Sequence, residues 1–174
     1  MKLFTSILLA LINIGSLYCQ TNIVNKVIKF NLPKRSEILT VATIQRSEIG
    51  RSKFSIIARS STVGQAFEVD SSLVLLNASD STVRKEHLDE LQKGLKEMIR
   101  LGNPTFFTSV ITEKNNYRVL INNYPFPGEN IARYSFYAQG ENNKMLVGII
   151  EYKLTNAKNA LNTLNELLNG ITFK

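Results

Sequence analysis

The chain offers few side chains that could carry out acid–base, nucleophilic or metal chemistry. His87 is its single histidine, and one histidine cannot by itself supply the ligands of a zinc site. A catalytic triad would need a serine and a carboxylate brought next to His87 from elsewhere, and no nucleophile-elbow motif marks such a serine. We therefore interpret His87 as a surface or boundary residue of a helix. A small hydrolase that uses His87 is the least favoured alternative.

Carboxylates in two short segments are the other candidates for chemistry. Glu86, Asp89 and Glu90 are accompanied by lysines, a pattern typical of a solvated helix face. Glu68 and Asp70 flank one residue, so on a continuous strand both would point to the same face and could form an acid–base pair or bind a hard cation. No further ligand is near them in the sequence, which favours a solvent-facing strand. With no Gly-rich phosphate loop either, the sequence predicts no catalytic residue, no metal site and no cofactor, and hence a protein that is not an enzyme.

Aromatic residues and arginines are concentrated in one stretch of the chain, and such residues are common in protein interfaces. They are Tyr117, Arg118, Tyr124, Phe126, Arg133, Tyr134, Phe136 and Tyr137. Strand alternation turns about half of such a set inward, so core filling explains most of it. Tyr124 and Phe126, which lie among prolines in an expected loop, and Arg133 are the candidates for contact with a partner.

Composition and charge limit the classes of protein to which the chain can belong. Its 174 residues are 44% hydrophobic and 20% charged, with a net charge of +7, as in an ordinary globular domain. The lysines and arginines are scattered, so solvation explains the charge better than a binding patch does. Nucleic-acid binding would require basic residues along one face together with exposed aromatics, and we do not expect it.

Residues 1–19 have the layout of a secretory signal, in which one lysine precedes a short apolar run. The run is too short to span a bilayer. Cleavage before Gln20 would leave residues 20–174 as a single domain with no transmembrane span. Cys19 also resembles the lipid-accepting cysteine of bacterial lipoproteins, although Tyr18 stands where that motif has a small residue. The expected location is the periplasm or the cell envelope, with lipidation of Cys19 as an alternative to ordinary cleavage.

The last third of the chain carries the clearest fold signals. In order, its patterns predict strands at 131–139 and 144–154 joined by a turn at 140–143, a helix at 157–168 and a short strand at 171–173. In the helix, apolar residues recur at three- and four-residue spacing, with Leu161 in the apolar stripe and Thr163 on the opposite face. We expect this stripe to pack on the sheet.

A second regular helix is predicted at residues 83–101, where Asp80, Ser81 or Thr82 could cap its first turn. Its inward stripe comprises Leu88, Leu91, Leu95, Met98 and Ile99. A glycine and a proline follow and end it.

The remaining segments carry shorter patterns. They predict strands at 27–30, 53–59, 67–77, 106–112 and 117–122. Residues 20–26 are expected to be a frayed start of the mature chain. Residues 34–50 fit either a helix or a strand, and we favour a strand because of their β-branched content.

The order of elements predicts an α+β fold, with helices packed on a mostly antiparallel sheet. With its segments NNYRVLINNYP, ARYSFYAQGENNKMLVGIIEYKL and ALNTLNELLNGITFK, the chain resembles the PsbP-like and DcrB-like α/β/α family. The resemblance covers residues 27–174 and is strongest at the end, where GITF corresponds to the family's closing Ser-Ile-x-Phe-like segment. It implies an α/β/α sandwich and an exported accessory or binding protein that docks onto larger assemblies.

Together, these observations predict an exported, non-catalytic binding or accessory protein of the bacterial cell envelope. Its partner would be an unidentified protein or another envelope component. A periplasmic immunity-type protein that blocks a toxin is an alternative.

Overall fold

The computed structural model describes residues 21–23, 28–59, 65–102, 107–114, 116–126 and 128–174. The strands are β1 (Thr21–Ile23), β2 (Ile28–Asn31), β3 (Glu37–Ile38), β4 (Gln65–Val69), β5 (Ser72–Thr82), β6 (Thr108–Lys114), β7 (Tyr117–Pro125), β8 (Ile131–Gly140), β9 (Lys144–Lys153) and β10 (Thr172–Phe173). The helices are α1 (Val41–Arg46), α2 (Ile56–Arg59), α3 (His87–Gly102) and α4 (Ala157–Gly170).

The described strands form two antiparallel sheets. The larger sheet has seven strands in the order β3-β4-β5-β9-β8-β7-β6, and the smaller has three in the order β1-β2-β10. The predicted hairpin at the centre of the large sheet is confirmed, since β8 pairs with β9 from Ile131 opposite Lys153 to Gln139 opposite Met145. The predicted α+β class, with helices on a mostly antiparallel sheet, is confirmed as well.

The large sheet buries parts of both faces. On its first face, Val74, Phe136 and Ile150 are enclosed in a core that includes α4 and the small sheet. On its second face, Leu73 packs in a separate core with Ile44 of α1, and α3 lies further along, against β6 and β7. Because strand side chains alternate between faces, each central strand supplies residues to both layers.

Helix α4 turns its apolar stripe to the first face. Its buried residues are Ala160, Thr163, Leu164, Leu167 and Leu168. Two assignments for this helix were wrong. Leu161, which was predicted in the apolar stripe, is 44% exposed, and Thr163, which was predicted on the opposite face, is fully buried. At 3.6 residues per turn, Leu161 lies further around the helix from the centre of the buried set than Thr163 does. At both residues, the direction in which the side chain leaves the helix decides its burial, and its polarity does not.

A tight hairpin interrupts the strand predicted at 67–77. Asp70 and Ser71 both have positive φ, 47° and 61°, as in a two-residue turn of the primed type that joins strands β4 and β5. Asp70 forms an ion pair with Arg35 at 2.8 Å. The interpretation of Glu68 and Asp70 as two carboxylates on one strand face is therefore wrong, because Asp70 lies in the turn.

The segments before this hairpin also differ from prediction. The favoured strand at 34–50 is wrong beyond β3, because Thr40 and Thr43 form a reciprocal cap that starts α1. The predicted strand at 53–59 is wrong, since residues 56–59 form α2. The predicted fraying of 20–26 is wrong for β1, which pairs with β2. In each case, a cap or a distant partner overrides local propensity.

Helix α3 starts later than predicted. Strand β5 continues to Thr82, which pairs with Lys144 of β9, so residues 80–82 lie in a strand and do not cap the helix. Leu88 of the predicted stripe is fully buried, whereas Met98 is 63% exposed. The helix thus packs on the sheet mainly through its first turns.

A buried tyrosine joins the sheet to the end of α4. The hydroxyl of Tyr117, which is 4% exposed, donates a hydrogen bond to the carbonyl oxygen of Leu168. Burial raises the pKa of Tyr117 above its ordinary value of 10.

This shift predicts a loss of stability at alkaline pH. Above about pH 10 the unfolded chain loses the Tyr117 proton while the native chain retains it, so the free energy of unfolding should fall by up to about 1.4 kcal/mol per pH unit for this residue. Urea unfolding between pH 8 and 11 should show a shallower decline for Tyr117→Phe than for the wild type. Tyr124→Phe serves as the control, and equal slopes for wild type and Tyr117→Phe would contradict the prediction.

Candidate functional site

The three residues predicted to contact a partner lie together in the fold. Arg133 is 4% exposed, and its Nη1 donates to the Tyr124 hydroxyl at 2.9 Å. Its guanidinium lies 4.6 Å from the ring centroid of Phe126 and 5.4 Å from that of Tyr124. Tyr124 belongs to β7 and Phe126 is buried, so the expected exposed loop is not seen here. Contact of these residues with a partner stays a prediction, since the contacts described for them run within the chain.

Glu151 completes this internal cluster and was not singled out from the sequence. Its carboxylate is fully buried and accepts hydrogen bonds from Arg133 Nη2 at 2.7 Å, Ser55 Oγ at 2.6 Å and the backbone N–H of Ile56 at 2.8 Å. The group therefore holds the start of α2 against β9. The sequence did contain a signal for Glu151, which is the one carboxylate within the apolar run of β9. A charge in a buried strand requires a partner.

The remaining candidates do not assemble into a catalytic group among the described residues. His87 is half-buried at the start of α3, and among the described residues no hydrogen bond joins its side chain to a serine or a carboxylate. Asp89 is bonded to Arg118 and Glu90 to Arg84. Cys19 lies outside the described residues.

Two wider searches cover only the residues that the structure describes. No group of three or more His, Cys, Asp or Glu side chains there is placed to hold a metal ion. None of the helices in those ranges combines the length and the apolar character needed to cross a bilayer.

A cleft at one end of the large sheet brings together residues from distant parts of the chain. We call it the end cleft; its volume is about 450 Å³, and its lining residues are Lys85, Glu113, Asn116, Tyr117, Arg118, Gln139, Gly140, Glu141 and Asn143. The β6–β7 and β8–β9 hairpins contribute all of them except Lys85, which comes from the segment before α3. Antiparallel pairing of β6, β7 and β8 places Glu113, Arg118 and Gln139 side by side on the second face.

Gln139 is a buried amide side chain in the lining of the end cleft. It is 5% exposed, and its Nε2 donates to the carbonyl oxygen of Arg84 at 2.9 Å and to Asn143 Oδ1 at 3.2 Å. Its Oε1 is shielded from water and has no hydrogen-bond partner in the described part of the chain. A buried acceptor without a donor costs free energy, and because this oxygen has almost no surface open to the cleft, the cost is borne within the fold.

The charges around the end cleft are only partly compensated. Arg118 donates two hydrogen bonds of 3.0 Å to the Asp89 carboxylate, and these bonds lower the pKa of Asp89 and raise that of Arg118. Within the described residues, Glu113, Glu141 and Lys85 form no ion pair. Glu113 is the cross-strand neighbour of Arg118 and also attracts its guanidinium, so Arg118 interacts with two carboxylates.

Two other clefts are formed by the described residues. One lies at residues 48–53 and 129–131, and the other at residues 31–35 and 166–170. Both are more open to solvent than the end cleft. The end cleft is therefore the better candidate for a binding site.

Sequence reasoning did not find the end cleft. Gln139 closed a predicted strand and gave no signal of its own, because its bonding depends on the carbonyl of Arg84, which is 55 residues away in the chain. Glu113 and Glu141 lay in predicted turns, where charged residues are ordinary.

Comparisons with known proteins do not assign the chain to a family. No family model matches the chain, and no curated protein matches it, so the PsbP-like and DcrB-like resemblance stays a prediction. Among solved structures, LpqN of Mycobacterium tuberculosis, described as involved in cell envelope biogenesis, is similar with a TM-score of 0.47 and 8% identity over 86% of each chain. At that score, the likeness carries no argument about this chain.

Proposed function

We propose that this chain is an exported, non-catalytic binding or accessory protein of the bacterial cell envelope, and that it binds its ligand in the end cleft. The observation that carries the proposal is the end cleft itself, an open volume of about 450 Å³ whose lining brings together the charged side chains of Lys85, Glu113, Arg118 and Glu141. The signal-like pattern of residues 1–19 supports export.

The surroundings of Gln139 suit the holding of a polar ligand. Glu113, Glu141 and Lys85 are exposed at the rim, where charges steer a ligand at little desolvation cost. The base of the cleft is firmer, because Arg118 is fixed by Asp89 and Gln139 by the carbonyl of Arg84. Because the base of the cleft is already held in place, a ligand would bind there without the entropy cost of first ordering these side chains.

The binding half of the proposal can be tested by partner capture from envelope extract. Glu113→Lys and Glu141→Lys should each change the amount of captured partner by about fivefold or more, because each reverses the sign of a charge in the lining of the end cleft. Glu37→Lys makes the same charge change on exposed strand β3 at the other side of the sheet, and it should leave capture unchanged. Capture that is equal for all four proteins would rule out the end cleft as the binding site.

The export half requires a separate measurement. Mass spectrometry of the chain recovered from a bacterial host should find a mature form that begins at Gln20, or one that begins at a lipid-modified Cys19. A cytoplasmic form that retains residues 1–18 would contradict export. Recovery of one toxin as the sole captured partner would favour the immunity-type alternative.

A further inference from the structure

We propose that the outer face of the small sheet, together with the adjoining end of α4, is a docking surface for the anionic headgroups of a lipid membrane. Its basic residues are Lys29, Lys34, Lys114 and Lys174, and we call this surface the lysine face. The inference goes beyond the proposed function, because it concerns a second surface and a membrane in place of the ligand of the end cleft. It follows from strand alternation, from the charges around the small sheet and from the point where the chain enters the fold.

Alternation in the small sheet turns two lysines outward. The residues on either side of Lys29 in β2 are fully buried in the core of the first face, so Lys29 points the other way. Phe173 of β10 is buried in the same core, and the residues before and after it are exposed. Because Thr172 lies opposite Lys29 in the sheet, Lys174 continues the same outer face two residues later.

The two lysines of this face are close together. The Lys29 side chain lies near enough to that of Lys174 to lower the pKa of Lys174, and two like charges at such a separation repel each other. Among the residues that the structure describes, no carboxylate forms an ion pair with either lysine. The main-chain oxygen of Lys174 is bonded to Asn142 Nδ2 at 2.7 Å. An anionic oxygen between the two ammonium groups would therefore interact favourably with both.

Two further lysines border the outer face. Lys34 lines the cleft between the end of β2 and the end of α4, and Asn31 of β2 lines it as well. Lys114 Nζ lies 3.4 Å from Asn169 Oδ1, and Asn169 belongs to the same cleft. These lysines are far from Lys29 in the sequence or separated from it by a strand end, so only the fold gathers them around one surface.

The carboxylates beside the lysine face are already paired. Arg35 lines the same cleft, and its Nη2 lies 2.8 Å from Asp70 Oδ2 and 3.5 Å from Glu166 Oε1. Within the described ranges, neither Lys34 nor Lys114 forms an ion pair. The four lysines thus carry positive charge that no ion pair offsets there, and such a surface attracts anionic lipids.

The entry point of the chain selects a membrane as the partner. Strand β1 pairs with β2, with Ile23 opposite Lys29, and β1 is the edge of the small sheet. Cys19 precedes Thr21 by two residues, a reach of at most about 7 Å. In the lipid-modified form of the chain, the anchor would hold the lysine face near the membrane surface. Docking is then intramolecular, so the weak attraction of a few lysines is sufficient to orient the domain.

The test measures co-sedimentation of the exported, purified Cys19→Ala chain, which carries no lipid, with vesicles. One set of vesicles is phosphatidylcholine alone, and the other is an equal mixture of phosphatidylcholine and the anionic lipid phosphatidylglycerol. We expect binding to the mixed vesicles to be at least about tenfold tighter than binding to the neutral ones. High salt should abolish the difference, because exposed charges are screened.

Paired variants locate the binding surface. Lys29→Gln with Lys174→Gln should weaken binding to the mixed vesicles by about twentyfold, since each lysine near an anionic surface contributes about fivefold. Lys93→Gln with Lys96→Gln makes the same change in net charge on exposed residues of α3, which packs on the second face. This control pair should weaken binding by less than about twofold. Lys174→Gln alone, at an exposed chain end, should cost about fivefold and serves if the Lys29 variant fails to fold.

Three results would overturn the inference: absence of binding to the mixed vesicles, equal binding to neutral and mixed vesicles, and equal weakening by the two variant pairs. The proposed function is judged separately, because partner capture through the end cleft is measured without vesicles. A failure with vesicles would leave the effects of Glu113→Lys and Glu141→Lys on capture unchanged. Failure of those two variants would likewise leave the vesicle result unchanged.

Discussion

Replacing Glu151 by alanine is expected to lower the free energy of unfolding by about 3–5 kcal/mol, the usual cost of breaking a buried ion pair from one side. Glu151 is fully buried, and it is the common acceptor for Arg133, for the Ser55 hydroxyl and for the N–H of Ile56. Its removal leaves an uncompensated guanidinium in a site that is 5% exposed. Urea unfolding at neutral pH measures the loss.

A surface glutamate provides the matched control for this prediction. Glu48 also bonds to a basic residue, Lys153, but its side chain is 63% exposed. Because exposed ion pairs contribute at most about 1 kcal/mol, Glu48→Ala should cost far less than Glu151→Ala. Similar losses in the two variants would show that the burial of Glu151 is not what makes it important.

The double variant Arg133→Met with Glu151→Leu separates the ion pair from its surroundings. Replacing both charges removes the uncompensated guanidinium, so this variant should be more stable than Glu151→Ala alone. Recovery should stop short of the wild type, because the Ser55 hydroxyl and the N–H of Ile56 lose their acceptor. The carbonyl oxygen of Phe54, which accepts from Arg133 at 2.6 Å, also loses its donor. Full recovery would mean that these three bonds contribute nothing.

Adding one methyl group at Gly148 is expected to cost about 3 kcal/mol, the upper end of the range for overpacking. Gly148 of β9 lies directly opposite Phe136 of β8, and a Cβ atom there would lie 2.0 Å from Phe136 Cζ. The Phe136 ring is fully buried, so it has no free space into which it can turn. Gly148→Ala should therefore shift the urea midpoint strongly downwards.

A second glycine serves as the control for Gly148. Gly94 lies within α3, where an added Cβ would meet no heavy atom within 4 Å beyond its chain neighbours and the nearby backbone of its own helix, so Gly94→Ala should stabilise the chain by about 0.5–1 kcal/mol through helix propensity. Combining Gly148→Ala with Phe136→Leu should recover part of the loss, since the smaller side chain leaves room for the methyl group. An additive loss in that pair would contradict the steric explanation.

Two local signals in the sequence were enough to predict the C-terminal part of the fold. Alternation in β8 and β9, together with turn-forming residues between them, specified a hairpin, and apolar spacing specified α4. These signals lie within a few residues of one another, so they act in the same way in the isolated sequence and in the folded chain. The α+β class follows from the order of such elements.

Elsewhere, contacts between distant residues decided the structure. Residues 53–59 carry a strand-like pattern, but the Glu151 carboxylate binds Ser55 and the N–H of Ile56 from across the chain and holds α2 in place. The turn at Asp70 and Ser71 needs two residues with positive φ, which neither residue type indicates as strongly as glycine does. Local propensity is weak enough for such contacts to override it.

The candidate site was likewise decided by contacts between distant residues. The sequence by itself determined which residue types are present in the end cleft, but it did not show that they lie together. Gln139 is oriented by the carbonyl of Arg84, and Arg118 is bonded to Asp89, and both partners are far away in the chain. Whether a buried amide oxygen lacks a donor depends on every group packed around it. Only the tertiary structure brings those groups together, and it alone decided that Gln139 lines the end cleft with its amide oxygen buried.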